Sequence, residues 1–324
     1  LNAGVHLSVF NVENVNYVRP QPRLSLRYKA SDNWSLKASY SRMAQHVHLL
    51  TTSGISMPSD LWLPVTKEFE PPISDQVAIG AAINLPKDLT LTVEGFYKTM
   101  KNLIEYKEGA SFSGSATNWE SKVEKGKGWA YGTELMIEKT IGKTTGWIAY
   151  TLSWTERQFE NLNFGKVFPA KYDSRHDISI ALTHTFSKKI DIGLTWVYNT
   201  GNTVTLGTRE YLAAQIPNAN PLNSYRYSIT EYSGRNNFRM PAYNRMDIGV
   251  NFHKQKKHGI RTWNISVYNA YNRQNPFVVM WDTKRVVTDG QTDSGTYQTV
   301  KTKTILTQYS LFPIIPSVSY SYKF

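Results

Sequence analysis

Three small groups of residues in this 324-residue chain are of types that could do chemistry. His46 and His48 form an H-x-H pair; on a strand both imidazoles face one way, as two nitrogen ligands of a transition metal would. No neighbouring carboxylate or third histidine completes that set, so no metal site is expected. Arg175, His176 and Asp177 supply cation, base and acid in succession, but consecutive strand residues point to opposite faces and cannot converge. Glu94, Glu134 and Glu138 are carboxylates of the kind that acid–base catalysis pairs. Their positions instead suggest ion-pair ladders with Lys and Arg of neighbouring strands. The chain has no G-x-S-x-G, P-loop or H-E-x-x-H pattern. It also has no cysteine for a thiolate site or a disulfide framework. The expectation is a non-enzymatic protein without a cofactor.

The elements that must carry these residues are alternating strands. In the last eight residues Val318, Tyr320, Tyr322 and Phe324 share one face, and Ser317, Ser319, Ser321 and Lys323 share the other. Leu24, Leu26 and Tyr28 oppose Arg23, Ser25, Arg27 and Lys29 in the same way. So do Ile190, Ile192, Leu194 and Trp196 against Asp191, Gly193 and Thr195, and Met246, Ile248, Val250 and Phe252 against Arg245, Asp247, Gly249 and Asn251. In each case the charges fall in phase with small and polar residues, and the polar face is richer in Ser, Gly and Thr than a soluble sheet's outer face. Such a pattern fits hydrocarbon on one side and a wet lumen on the other. A slip of one residue would turn every charge into lipid, at roughly 2–4 kcal/mol for each Lys or Arg at the midplane.

Short turns at 30–33, 86–88, 141–143, 187–189 and 253–259 alternate with long loops at about 44–72, 100–127, 157–174, 200–241 and 286–298. That asymmetry belongs to membrane barrels. The fold class expected is all-β: a transmembrane antiparallel β-barrel with about 12 strands in this chain. They begin at residues 3–10 and end at 316–324, and residues 260–285 and 299–324 read as two overlong strands projecting outward. With 20 Tyr and 9 Trp the chain can furnish aromatic girdles. Mean hydropathy is −0.42, and no apolar run is long enough for a transmembrane helix. The net charge of +12 is scattered and carries no RNP, helix-turn-helix or zinc-finger pattern, so nucleic acid is not an expected partner. The charge suits lipopolysaccharide phosphates or an anionic solute. The chain starts at Leu1 with neither signal peptide nor initiator Met, and reads as processed, truncated or cut from something longer.

Several segments carry a family likeness: Ala130-Tyr131-Gly132-Thr133-Glu134-Leu135, Phe168-Pro169-Ala170-Lys171-Tyr172-Asp173-Ser174-Arg175-His176-Asp177, Pro241-Ala242-Tyr243-Asn244-Arg245-Met246-Asp247, Val267-Tyr268-Asn269-Ala270-Tyr271-Asn272-Arg273-Gln274-Asn275-Pro276-Phe277 and Leu311-Phe312-Pro313-Ile314-Ile315-Pro316-Ser317. In order and position they resemble the C-terminal half of a TonB-dependent outer-membrane receptor. The terminal Tyr320, Tyr322 and Phe324 resemble the aromatic signature by which outer-membrane barrels are recognised for assembly.

The resemblance implies that residues 1–324 are a barrel segment, the last 12 strands of a 22-stranded barrel, with the plug and first strands outside this chain. It implies a bacterial outer-membrane location and active uptake of a scarce glycan, peptide or metal chelate. The implied partners are the N-terminal plug and barrel half, the TonB complex through that part, outer-membrane lipids and lipopolysaccharide, and a surface lipoprotein. It also puts ligand contacts on the outer loops and upper lumen, where Trp62, Trp119, Tyr211, Tyr225, Tyr227, Tyr232 and Trp281 could stack, and Arg226, Arg235 and Arg239 could meet anions. The plain alternative for each aromatic is packing of loop on loop or a place in the outer girdle. Two rival functions remain: a self-contained passive channel of about 12 strands, which requires residues 3–10 to pair directly with 316–324, and an outer-membrane barrel enzyme with a tight Ser/His or Asp/His cluster at its rim.

Overall fold

The computed structural model describes residues 1–52, 60–110, 119–212, 228–292 and 295–324. Twelve wall strands form one antiparallel sheet: β1 (Asn2–Val12), β2 (Val15–Lys29), β3 (Trp34–Ala44), β4 (Ile73–Leu85), β5 (Leu89–Tyr106), β6 (Val123–Lys139), β7 (Thr144–Phe159), β8 (His176–Ser187), β9 (Ile190–Asn199), β10 (Tyr243–Lys256), β11 (Gly259–Tyr268) and β12 (Ile315–Lys323). Each pairs with its neighbours in sequence, and a two-residue piece, Phe168–Pro169, adds a thirteenth strand against β7. β1 pairs only with β2 and β12 only with β11, so the sheet is open with two free edges.

The register carries the alternation across the whole wall. Ile79 stands opposite Ala38 and Gly95, Ile180 opposite Ile148 and Trp196, and Ile265 opposite Val250 and Val318. On the other face Ser25 meets Ser39, Gly80 meets Lys37 and Glu94, and Asn251 meets Asp191 and Asn264. The apolar row is uncovered: Ile79 is 73% exposed and Val318 is 65% exposed. Among the described residues no second sheet packs on it, which matches the expectation that this row faces lipid and the polar row faces the interior. Gly146 lets one strand crossing close up. Its φ is +135°, and a Cβ there would lie 2.0 Å from the Ala181 carbonyl oxygen, which only glycine avoids.

What dry core there is lies at the long-loop end. Leu50, Leu63, Phe69, Ile104, Tyr106 and Val123 form one buried cluster, and Phe159, Leu162 and Phe168 another. The turns after β2, β4, β6, β8 and β10 and both chain ends lie at the opposite end, with Lys323 beside Ile260 and Asn2 beside Ser25. The tight turn Glu13-Asn14 between β1 and β2 lies at the long-loop end, where Glu13 accepts from the Lys67 amide at 3.1 Å.

Several boundaries differ from the sequence expectation. The loops expected at 100–127 and 157–174 are shorter, because β5 runs to Tyr106, β6 starts at Val123 and β7 runs to Phe159. A register shift between Met100 and Leu103 lets the β5–β6 ladder continue, with Asn102 at φ 58° and its side-chain amide donating to the Pro71 carbonyl at 3.1 Å. The turn read at 253–259 shrinks, since β10 pairs as far as Lys256.

The two overlong strands do not exist as such. β11 stops at Tyr268, and Val278–Thr292 pairs with Gly295–Tyr309 in a separate hairpin that takes in most of the loop expected at 286–298. The break is built by Asn269 and Asn272, both at φ 53°. Buried Asn269 accepts from the Arg273 amide at 3.0 Å and donates to the carbonyls of Arg273 at 2.9 Å and Phe312 at 3.1 Å. Asn tolerates the left-handed region that β-branched strand formers avoid.

The wall makes a directional prediction. Ile265→Arg sets a cation in hydrocarbon and should cost about 2–4 kcal/mol, whereas Ser319→Arg on the interior row should cost far less. Urea titration of the refolded protein in lipid vesicles, read as the heat-modifiable band on a gel, checks the difference.

Candidate functional site

The long-loop end is assembled around two buried carboxylates. Glu105, at the top of β5, is 2% exposed. Arg157 of β7 donates to its Oε1 at 2.7 Å, and Arg235, 130 residues away in sequence, donates to its Oε2 through Nη2 at 2.7 Å and Nε at 3.0 Å. Arg235 also lies 3.6 Å from Glu108 and over the Phe168 ring. Asp173 is buried as well. It accepts from the Thr155 amide at 2.7 Å and from the guanidiniums of Arg175, at 3.3 Å, and Arg239. Arg239 further donates to the Gly201 carbonyl at 2.9 Å. Paired and hydrogen-bonded on several sides, these charges tolerate burial that an isolated ion would not. They tie the loop of residues 200–242 to that of 160–175 and to the wall.

A third tie joins the hairpin of Val47–Thr51 and Asp60–Pro64. Asp60 accepts from Lys171 at 3.0 Å and from the Tyr172 hydroxyl. His48 is buried in this hairpin, its Nε2 donating to the Phe69 carbonyl at 3.4 Å. His46 stacks on Phe10 at 4.9 Å and shares a 3.1 Å hydrogen bond with Ser8. The two histidines therefore have separate partners, and among the described residues no group of three or more His, Asp or Glu could hold a metal.

Between these loops opens a cavity of about 560 Å³, whose lining includes Tyr106, Glu108, Asn161, Phe164, Tyr232 and Arg235. The volume is that of a small-ligand site. Phe164 is 92% exposed and sits in a turn, Asn163-Phe164-Gly165, whose three φ values are 52°, 56° and 71°.

Of the residues singled out in the sequence, Tyr232 and Arg235 share this cavity. Arg235 is committed to Glu105, and Arg239 to Asp173. Trp119 packs on Phe69 at 5.2 Å, against the first buried cluster. Trp62 and Trp281 are exposed on separate hairpins, and Tyr211 is exposed with its hydroxyl donating to Glu231 at 3.3 Å. Tyr225, Arg226 and Tyr227 lie outside the described residues. Sequence reasoning missed Glu105 and Phe164; Asp173 reads in the sequence only as the finish of a loop, with no buried role. An acid inside a strand-like apolar run (Leu103-Ile104-Glu105-Tyr106) was the available signal for the first.

The expected carboxylate ladders are not formed. Glu94 stands opposite Glu134, and neither they nor Glu138 make an ion pair among the described residues. Arg175 lies over Trp154, while the His176 ring meets the Tyr150 hydroxyl at 2.9 Å. The three consecutive residues do not converge.

The profile of the family described as "TonB dependent receptor-like, beta-barrel" matches residues 1–272. No curated protein gives a significant match. Among solved structures, the ferripyoverdine receptor of the outer membrane of Pseudomonas aeruginosa, bound to ferripyoverdine, superposes with a TM-score of 0.52 at 15% identity, covering 85% of this chain and 32% of that one. The P. aeruginosa FpvA receptor bound to heterologous pyoverdines gives 0.53 at 15% identity, covering 82% and 31%. This chain thus spans about a third of the length of those proteins, and at such identity the likeness concerns the fold.

Two outcomes test the loop assembly. Glu105→Gln leaves two guanidiniums around a neutral amide, and should destabilise the cap by about 3–5 kcal/mol. Limited proteolysis of residues 160–175 should speed up accordingly, and Arg235→Met added to Glu105→Gln should recover part of the loss. Burial holds the His48 imidazole below its ordinary 6.5, outweighing the opposing Phe69 hydrogen bond. The unfolded hairpin therefore binds the proton more readily, so hairpin stability is complete above 6.5 and declines as the pH falls below it towards the folded value. Amide exchange of residues 47–51, corrected for intrinsic rates, should rise from about pH 7.5 to about pH 5.5, and His48→Gln should flatten that rise.

Proposed function

The chain belongs to the TonB-dependent receptor β-barrel family of the bacterial outer membrane, and from that premise we propose that it forms the wall and outer face of an active-uptake receptor. In this reading the loops and upper lumen capture a scarce solute outside the cell. A plug held within the barrel then rearranges when pulled through the TonB complex. Plug and remaining strands are supplied by other parts of the receptor and complete a barrel of about 22 strands. Lipopolysaccharide surrounds the wall, and a surface lipoprotein is a further partner for the loop face. Capture and passage change no covalent bond, so no catalytic residue is assigned and no cofactor is needed. Energy is needed because concentrating a solute costs about 1.4 kcal/mol for every tenfold gradient.

The observation that carries this reading is the open wall. β1 and β12 do not pair with each other, although a self-contained pore of this chain would need that contact. Unpaired strand edges in hydrocarbon are prohibitively costly, so such edges call for further strands. The rigid loop cap supports the same reading, since a receptor must hold its binding groups in place before the ligand arrives.

Planar-bilayer conductance separates the two functions. The purified receptor should show no steady ionic current and should bind an isolated TonB C-terminal domain. Continuous conductance by a 37.0 kDa species without TonB binding would establish the passive channel instead.

A further inference from the structure

The cavity at the loop end has a chemical character that narrows what it can hold. Its most exposed group is Phe164, and the turn beneath is built to keep it so. Gly165 donates to the Leu162 carbonyl at 3.0 Å, Lys166 donates to the Asn163 carbonyl at 3.0 Å, and Asn163 Oδ1 accepts from the Arg235 amide at 3.0 Å. Leu162, two positions earlier, is 1% exposed between Phe159 and Phe168. The turn thus buries one apolar residue and ejects the next, at the expense of a left-handed conformation that a phenylalanine avoids. Strain kept at an exposed aromatic beside a cavity is a mark of a binding site.

The charges around the cavity are already spent. Arg235 directs three nitrogens at Glu105 and Glu108, and the Lys107 ammonium is held by the Ser121 carbonyl at 2.9 Å. A polyanionic chelate or phosphate would need free guanidinium or ammonium groups, and among the described residues this lining does not offer a cluster of them. What remains beside the exposed Glu108 carboxylate are neutral polar groups. Asn161 donates through its side-chain amide nitrogen to Glu124 at 3.2 Å, and among the described residues neither its side-chain oxygen nor the Tyr232 hydroxyl has a hydrogen-bond partner. Aromatic faces with amide and hydroxyl groups around them match a ring that has an apolar C–H face and hydroxyls at its rim.

We propose that this cavity is a subsite for an uncharged oligosaccharide, with Phe164 as the stacking surface and Tyr232 and Asn161 as hydroxyl partners. The proposal rests on the receptor reading and names the class of ligand that the receptor captures.

The test uses the complete receptor in detergent on an array of neutral oligosaccharides, acidic oligosaccharides and immobilised ferric trishydroxamate. Binding to at least one neutral oligosaccharide is expected, weakened about tenfold by Phe164→Ala and restored by Phe164→Trp. Phe164 is 92% exposed, and the heat-modifiable band verifies that both variants fold. Capture of only the acidic or ferric probes, capture of no probe, or equal binding by Phe164→Ala would overturn the subsite. The conductance measurement is independent of these results. A plugged, TonB-binding protein with no neutral-glycan capture loses the subsite alone, and an open pore loses the receptor reading whatever the array shows.

Discussion

A backbone that enters hydrocarbon must satisfy its own hydrogen bonds, and the rest of this protein depends on that requirement. Water is absent from the membrane interior, so each amide and carbonyl of the wall needs a partner on the adjacent strand. Pairing every strand with its neighbour makes register a property of the whole sheet. Once Ile265 faces Val250 and Val318, the position of Asn264 and Ser319 on the wet side follows without further choice. The polar residues of the interior need no mutual pairing to be stable there. Glu94 and Glu134 accordingly sit opposite each other without a cation partner among the described residues.

Along the wall the interior row is a shallow, repetitive series of serines, glycines and amides with charges such as Lys37, Glu94 and Asp191 set among them. Specific geometry arises where the strands outrun the membrane. There the chain forms dry contacts, and the buried carboxylates of Glu105 and Asp173 gather arginines from loops far apart in sequence. A fully buried carboxylate with two guanidinium partners has few alternative arrangements. The loops are held in one arrangement by ionic ties, with small apolar clusters beneath. Arg235 and Arg239 serve this scaffold, and Phe164, Tyr232 and Asn161 are among the groups left facing the cavity.

The difference between reading and structure follows the range of the interactions. Strand number and phase, the alternation of short and long connections, and the family likeness were legible because each depends on residues within one strand or turn. Strand ends were less so. Nothing local in Lys101-Asn102-Leu103 announces a bulge, and the Asn269–Phe312 contact that ends β11 joins residues 43 positions apart. The aromatics were recognised by type, but type does not separate Trp119, which packs on Phe69, from Tyr232, which lines the cavity. Phe164 drew no notice, because a phenylalanine in a loop is ordinarily assumed to be buried.

By itself the sequence determined which face of each strand meets lipid, since a two-residue period and the cost of a charge in hydrocarbon leave one phase available. Only the tertiary structure decided which loop residues are scaffold and which are free to bind. That division depends on where Arg235 and Arg239 find their carboxylates, and such long-range pairings leave no periodic trace in the chain.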